Sequence, residues 1–310
     1  MSAALTIVVP TYNRIDLLAD CLRSLSAQTY RDFRVLVVDD ASPKDVAASV
    51  RGVLPEVEVV RRTENGGFAC AANEGIRRAD TSHVMLLNDD MTLAPDCIER
   101  LMTSMRETGA AMACPLVLFR DQPDTIYSAG DTITRGCRPV SIGFRQKRED
   151  FAFERHPWGV SAGAAIYSRD LFEKIELFDE TFIAYFEDAD LCLRARAAGF
   201  EAICVPEAVA YHVGSASQVG STLWRTRQCY RNHALLVAKN FSIRDVILCA
   251  PWIAAERLHQ ARRLISAYRA ELGLVRALRE WAHAWMQTAS LIPRLIAARK
   301  VSGRRDTKTR

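Results

Sequence analysis

The sequence predicts an α/β protein built on a mostly parallel, doubly wound central sheet. Four apolar runs rich in Val, Leu and Ile lie in the first 90 residues, as is typical of buried strands. These runs are Leu5–Val9, Arg34–Val38, Val57–Val60 and His83–Leu87. Helical patterns separate them, because apolar residues recur on one face from Leu17 to Leu25 and from Phe68 to Ile76. Strands that alternate with helices favour a parallel sheet.

The helices and strands after residue 90 are predicted from similar patterns. A helix is predicted to begin near Pro95, because proline fits a first helical turn. Another apolar run, Met112–Phe119, predicts a strand, and residues 120–158 are rich in loop-forming residues. The segment Ser161–Tyr167 is expected to return to the core, and from Leu223 onward the pattern is helical almost to the end.

Length and composition set the outer bounds. A chain of 310 residues that is 49% hydrophobic can bury a substantial core. Its nine cysteines include no CxxC pair, which argues against a disulfide framework and against a zinc site. The opening apolar run is too short for a signal peptide, and no later run reaches the roughly 20 apolar residues of a spanning helix. We therefore expect a cytoplasmic protein.

Polar residues follow each of the first four predicted strands. In a doubly wound sheet, ligands bind beyond the carboxyl ends of the strands. The segments found there are Pro10-Thr11-Tyr12-Asn13-Arg14, Asp39-Asp40-Ala41-Ser42, Asn65-Gly66-Gly67 and Asn88-Asp89-Asp90. We expect these segments to line a ligand site.

The acidic pairs in these segments have two interpretations each. Carboxylates such as those of Asn88-Asp89-Asp90 suit Mg²⁺ or Mn²⁺, but an isolated Asp-Asp is more often a solvated turn. Asp39-Asp40 can bond a ribose or a base N–H, or the segment Asp40-Ala41-Ser42-Pro43 can simply cap a helix that begins near Lys44. Gly66-Gly67 permits a tight turn or close approach of the backbone to a ligand.

Two further candidates lie in the second half of the chain. In Glu187-Asp188, Asp188 can act as a general base, although an acidic first turn of a helix explains the pair equally well. His212 follows an apolar run and can be an ordinary core or surface histidine. A neutral imidazole at that position can instead complete a metal site with Asp90.

In this order, the motifs resemble those of the family 2 glycosyltransferases, which have the GT-A fold, and in particular the bacterial rhamnosyltransferase-like branch. The resemblance runs from residue 5 to about 240. Its segments are Val8–Arg14, Val37–Ser42, Asn65–Phe68, Asn73–Gly75, Leu86–Asp90, Ser161–Ala165, Phe178–Glu180 and Tyr185–Leu191. Asn88 replaces the first Asp of the family's DxD motif and so removes one charge from the metal site.

The resemblance implies a role for each matching residue. The donor nucleotide site would comprise Pro10, Thr11, Tyr12, Arg14, Asp39, Asp40, Gly67, Asn73, Asn88 and Asp89. Asp90 would be the main ligand of Mn²⁺ or Mg²⁺, with His212 as a further ligand, and Asp188 would be the catalytic base of an inverting displacement. We expect Glu187, Trp158 and Arg231 to bind or position the acceptor.

Charge and resemblance together predict the domains. Residues 243–310 hold 14 Lys and Arg against five Asp and Glu, a net +9, which leaves −5 for the rest of the net +4. We expect a GT-A catalytic domain at 1–242, with a nucleotide-binding half at 1–110 and an acceptor-binding half at 111–242. A basic amphipathic helical extension follows at 243–310.

The basic extension has three candidate roles. Arginines alternate there with apolar residues such as Trp252, a pattern typical of helices that lie on an anionic membrane surface. Helix packing or oligomerisation is the main alternative. Nucleic-acid binding is not expected, because no recognisable motif accompanies the charge.

The resemblance implies an inverting, metal-dependent glycosyltransferase that uses a dTDP- or UDP-sugar. L-rhamnose from dTDP-rhamnose is the leading donor sugar, with galactofuranose, glucose or an N-acetylhexosamine as the alternatives. A glycan or polyprenyl-linked glycan of a surface polysaccharide is the expected acceptor. Such an acceptor would place the enzyme at the inner face of the cell membrane. The alternative is a non-catalytic nucleotide-sugar or glycan-binding protein on the same fold. An NAD-dependent oxidoreductase is disfavoured, because no GxGxxG follows the first strand.

Overall fold

The computed structural model describes residues 3–214 and 222–301. The chain forms two compact units. The first unit comprises Met1–Thr132, Ser141–Ile183 and Leu191–Ser217, and the second comprises Ile133–Val140, Ala184–Asp190 and Gln218–Arg310. The functional division at residue 242 stays a prediction.

A nine-stranded sheet forms the framework of the described part of the first unit. Its strands are β1 Leu5–Thr11, β2 Phe33–Asp39, β3 Glu58–Arg61, β4 His83–Leu87, β5 Met91–Leu93, β6 Met112–Phe119, β7 Ile126–Ser128, β10 Ala164–Ser168 and β11 Ala202–His212. The strand order is β3-β2-β1-β4-β10-β6-β11-β5, with β7 beside β6. A short hairpin is formed by β8 Asp131–Ile133 and β9 Pro139–Ser141.

The α/β fold class is confirmed, and the sheet is mixed beyond β4. Strands β3, β2, β1 and β4 run parallel, as the alternation of strands and helices predicts. Strand β10 runs antiparallel to both β4 and β6, and β5 runs antiparallel to β11. A buried antiparallel strand has the same apolar composition as a buried parallel strand, so composition does not reveal its direction.

Helices cover both faces of this sheet. They are α1 Ile15–Ser26, α2 Val46–Val50, α3 Phe68–Arg78, α4 Cys97–Thr108, α5 Arg169–Ile175 and α6 Glu187–Ala197. Buried residues of α1, α2 and α4 pack on one face, and those of α3, α5 and α6 pack on the other. Because side chains alternate along a strand, Val8 belongs to one core and Val9 to the other. The strands are therefore held firmly, and so are the polar residues at their ends.

Three helices dominate the second unit: α7 Thr222–Asn240, α8 Ile243–Leu272 and α9 Leu274–Val301. Tyr230 lies in their core, where Trp281 Nε1 donates to its hydroxyl at 3.1 Å and the Arg257 guanidinium lies over its ring. Ser242 and Asp245 form a capping box that begins α8. These helices confirm the predicted helical extension. None of the helices within the described ranges is long and apolar enough to cross a membrane.

Candidate active site

The carboxylates of Asp89 and Asp90 are buried at the end of β4, where the two residues are only 5% and 3% exposed. Thr11, at the end of β1, donates its hydroxyl to Asp89 Oδ2 at 2.7 Å. Arg14 Nη1 donates to Asp89 Oδ1 at 3.2 Å and to Asp90 Oδ2 at 2.9 Å. Burial raises the pKa of Asp89 to about 6, and Arg14 and Thr11 offset part of this effect. Arg14 therefore stabilises a pair of buried carboxylates.

His212 lies beside this pair. Its Nε2 is 3.4 Å from Asp90 Oδ1, and the Val213 N–H donates to the Asp90 carbonyl at 3.2 Å. Strand pairing creates the contact, because β11 aligns His212 with Met91, the first residue of β5. The ring of Tyr127 packs edge-on against the imidazole, with the centroids 4.2 Å apart. The fold thus brings together the two residues predicted to bind a metal.

The residues at this position fit a hard divalent cation. Asp90 supplies a buried carboxylate, and His212 Nε2 supplies a nitrogen directed at the same place. Mg²⁺ and related ions in nucleotide sites are typically held by one or two carboxylates plus substrate phosphates. Within the described residues, no group of three or more His, Cys, Asp or Glu side chains could hold an ion by itself. One carboxylate and one imidazole nitrogen leave room for phosphate oxygens among the ligands of such an ion.

Asp40 closes the turn that follows β3. Its carboxylate accepts the N–H groups of Gly66 at 3.1 Å and Gly67 at 2.8 Å, and it forms an ion pair with Arg62. Gly67 adopts a left-handed φ of 83°, which favours glycine. A Cβ atom there would approach Ile183 Cγ2 to 2.6 Å. Asp40 therefore shapes the turn beside the predicted nucleotide site.

The segments after β1 and β2 also meet. Asp39 Oδ1 accepts the Ser42 N–H at 2.9 Å, and Ser42 Oγ accepts the Asn13 N–H at 2.9 Å. The Asp40 N–H donates to the Thr11 carbonyl at 2.9 Å. These bonds connect the Pro10–Arg14 segment to the acidic pair of β2 and leave the Tyr12 side chain at the surface, 36% exposed. A ligand can reach this ring.

Three other predicted residues have structural partners. Asn73 is buried, and its amide exchanges hydrogen bonds with both backbone groups of Phe178 and donates to Glu180. The half-buried Asn88 donates its backbone N–H to the Gly163 carbonyl at 2.8 Å. Trp158 packs, partly buried, against the core face that includes α3 and α5. Asn73 therefore anchors the loop around Phe178.

In the second unit, the predicted acceptor residue Glu187 and the predicted base Asp188 begin α6, whereas Arg231 lies on α7. Asp188 accepts the Ala189 N–H at 2.8 Å. Burial raises the pKa of Glu187 well above its usual range, and the Asp188 charge adds to this effect. Arg231 in α7 is nearly buried and donates to the Asn232 side chain at 2.6 Å. In this unit, the structure places Glu187 and Asp188 on one helical turn.

Sequence reasoning did not single out two residues that organise these segments. Arg62, just after β3, pairs with Asp40, and a basic pair after a strand was the available signal. Asn232 donates to the carbonyl groups of Ala184 and Tyr185. No local sequence pattern reveals this role of Asn232, because Ala184 and Tyr185 lie far from it in the chain.

The α/β sheet is parallel up to β4 and mixed beyond it, and an acidic pair and a histidine lie at its carboxyl edge. Together, these features define a GT-A glycosyltransferase. A solved mannosyltransferase from Pyrobaculum calidifontis, in complex with GDP-Man and Mn²⁺, shares the fold with a TM-score of 0.57 at 18% identity. The match covers 97% of this chain and 80% of that protein.

The chain belongs to glycosyl transferase family 2, because the model of that family matches residues 6–176. The succinoglycan biosynthesis protein ExoW of Rhizobium meliloti is 38% identical over 197 residues, which are 60% of this chain and 61% of that protein. The N-acetylglucosaminyl-diphospho-decaprenol L-rhamnosyltransferase of Mycobacterium tuberculosis is 26% identical over 238 residues, 68% of this chain and 76% of that enzyme. Two longer relatives, from Sinorhizobium fredii and Myxococcus xanthus, are matched over 25% and 19% of their length.

Proposed function

We propose that this glycosyltransferase uses a nucleoside diphosphate sugar as its donor and transfers the sugar with the help of a divalent cation, Mn²⁺ or Mg²⁺. The observation that carries the proposal is the 3.4 Å contact between Asp90 Oδ1 and His212 Nε2 in a buried acidic site. When bound, the ion would offset charge on the leaving nucleotide. The Mn²⁺ in the mannosyltransferase complex supports this role.

The residues around the acidic site would prepare it for the donor. Arg14 holds the carboxylates of Asp89 and Asp90 in place, and Thr11 fixes Asp89. The exposed ring of Tyr12 offers a surface for the base, and Asp40 fixes the turn that follows β3. A preformed site of this kind lowers the ordering cost of binding a nucleotide.

Asp188 is the proposed base of an inverting displacement. The acceptor hydroxyl oxygen would form a bond to the anomeric carbon while the bond from that carbon to the phosphate oxygen breaks. The hydroxyl proton would pass to the Asp188 carboxylate. The resemblance of Tyr185–Leu191 to the family motif and the position of Asp188 in the first turn of α6 support this assignment.

The proposed donor sugar is L-rhamnose from dTDP-rhamnose, and the proposed acceptor is a glycan or polyprenyl-linked glycan. The support is the likeness to the mycobacterial rhamnosyltransferase, whose name specifies a lipid-linked acceptor, and to a succinoglycan biosynthesis protein. A thermal-shift screen of dTDP- and UDP-sugars with Mn²⁺ would identify base and sugar together.

Titration calorimetry tests the metal site. dTDP or UDP should bind more tightly with Mn²⁺ than with EDTA. Asp90→Ala should remove that difference, whereas Asp96→Ala, which alters a half-exposed acid paired with Arg100 of α4, should keep it. Metal-independent nucleotide binding that Asp90→Ala leaves unchanged would refute the site.

A face of α8 supports association with an anionic membrane surface. The apolar strip of α8 comprises Ile243, Ile247, Leu248, Pro251, Ala254, Ala255 and Leu258, all exposed. Ile243 is 78% exposed and Ile247 67%. The helical period continues this face into the exposed Arg262 and Arg269. An apolar strip that continues into basic residues suits the boundary between acyl chains and anionic headgroups.

Flotation with phosphatidylglycerol vesicles tests this surface. The full chain should float, and the double variant Ile247→Asp with Leu248→Asp should remain in the soluble fraction. A matched control, Thr108→Asp with Gln122→Asp, adds the same charge at exposed positions of the first unit and should float. If the full chain and the Ile247→Asp, Leu248→Asp variant were recovered equally in the floating fraction, the proposed membrane association of α8 would be wrong.

A further inference from the structure

The backbone just before Glu187 is strained. Tyr185 and Phe186 adopt φ values of 69° and 73°, in the left-handed region. Bulky residues rarely occupy this region, because Cβ collides with the backbone. Consecutive strained residues persist only where the surroundings over-determine them, and such sites concentrate at ligand clamps and active sites.

A buried asparagine holds this conformation. Asn232 of α7 is fully buried, and its Nδ2 donates to the carbonyl groups of Ala184 at 2.9 Å and Tyr185 at 2.7 Å. Arg231 Nη1 donates to the Asn232 Oδ1 at 2.6 Å and so orients the amide. The strained segment is thus fixed by specific hydrogen bonds to α7.

An aromatic ring of the strained segment lies at the surface. The rings of Tyr185 and Trp224 lie 5.9 Å apart, tilted by 58°, and each residue is 37% exposed. Two large rings that lie against each other and still face water form an apolar surface patch with polar edges. Tyr185 is also three residues from Asp188, the proposed base.

We propose that Tyr185 and Trp224 form a stacking subsite for a sugar ring of the acceptor. The proposal rests on the glycosyltransferase function and on Asp188 as its base. The C–H face of a pyranose is apolar, whereas its rim carries hydroxyl groups, so it matches an exposed aromatic surface. The strained turn fixes the subsite close in sequence to the residue that takes the acceptor proton.

Saturation-transfer NMR on the full chain tests the subsite. The probes are the methyl β-glycosides of glucose, galactose and N-acetylglucosamine, added with dTDP, UDP and Mn²⁺. Saturation of the glycoside ring protons should fall at least fivefold in Trp224→Ala and in Tyr185→Ala. It should largely survive in Trp224→Phe, which keeps an aromatic face. Trp285→Ala, which removes an exposed tryptophan of α9, is the matched control.

Nucleotide binding, measured on the same samples, separates the possible failures. Unchanged nucleotide affinity with lost glycoside binding supports the acceptor subsite. Undiminished glycoside binding in folded Trp224→Ala and Tyr185→Ala overturns it, and so does a wild-type chain that binds none of the glycosides. Loss of nucleotide affinity alone would assign the rings to the donor and also overturn the proposal. Absence of nucleotide binding in the wild-type chain would instead refute the proposed function.

Discussion

His212 Nε2 lies 3.4 Å from Asp90 Oδ1 at the carboxyl edge of the sheet. Asp90 directly precedes β5, and His212 ends β11, the strand that pairs antiparallel with β5. The metal site proposed for this enzyme therefore depends on a strand pairing between distant parts of the sequence. Substitutions that alter the pairing of β5 with β11 would therefore change the proposed metal site even where they leave Asp90 and His212 in place.

His212→Gln should weaken Mn²⁺-dependent nucleotide binding by roughly tenfold, about 1.4 kcal/mol. The substitution keeps a polar side chain but removes the imidazole nitrogen next to Asp90. Calorimetric titration with dTDP or UDP in Mn²⁺ and in EDTA measures the effect. His259→Gln, at an exposed position of α8, should bind like the wild type. An unchanged response to Mn²⁺ in His212→Gln would show that the imidazole is not a ligand.

Asp188→Asn should slow sugar transfer by about 10²–10⁴-fold, because the amide cannot accept the acceptor proton. Donor affinity should change little. Single-turnover assays give the rate of transfer, and nucleotide titration gives the affinity. Asp170→Asn, in the first turn of α5, is a comparable acidic-to-amide change and should retain the rate. Near-normal transfer by Asp188→Asn would exclude this residue as the base.

Gly67→Ala should destabilise the fold by roughly 1–3 kcal/mol more than Gly273→Ala. Both glycines combine a positive φ with an extended ψ, 83° and −180° at Gly67 and 81° and 164° at Gly273, so the backbone strain is similar. A Cβ at Gly67 would collide with Ile183, whereas a Cβ at Gly273 meets nothing within 4 Å. Urea unfolding of the two variants isolates the collision. Equal losses would mean that the turn closed by Asp40 can relax.

Stability should depend on pH through His233. This residue is fully buried, and its Nε2–H donates to the Gly136 carbonyl at 2.7 Å. Burial lowers the pKa of His233 from 6.5 to about 4. As the pH falls, this imidazole therefore takes up a proton at a higher pH in the unfolded chain than in the folded chain. The stabilisation that comes from the neutral form of His233 is complete above pH 6.5. It is lost as the pH falls towards 4, by about 3 kcal/mol of unfolding free energy in total.

His233→Gln should remove most of this slope, because the glutamine amide can donate to the same carbonyl and does not titrate. Urea unfolding at several pH values between 7.5 and 4.5 measures it. The exposed His259→Gln serves as the control and should keep the wild-type slope. A variant at His233 with an unaltered slope would show that other groups cause the acid sensitivity.

The expected strands and helices of the first 90 residues match the structure closely. The predicted run His83–Leu87 is β4 itself, and α3 begins at the predicted Phe68. The short α2, Val46–Val50, begins after Asp45, whose side chain accepts the Ala48 N–H and caps it. These features depend on local periodicity and capping, which neighbouring residues determine.

The sequence by itself determined the α/β class, the family and the polar segments at the strand ends, because each depends on short motifs and local patterns. Only the tertiary structure decided the direction of β10, the contact of His212 with Asp90 and the bonds of Asn232 to Ala184 and Tyr185. Those features depend on register and packing between residues far apart in the chain. Many pairings bury the same apolar area, so packing of the whole molecule selects among them.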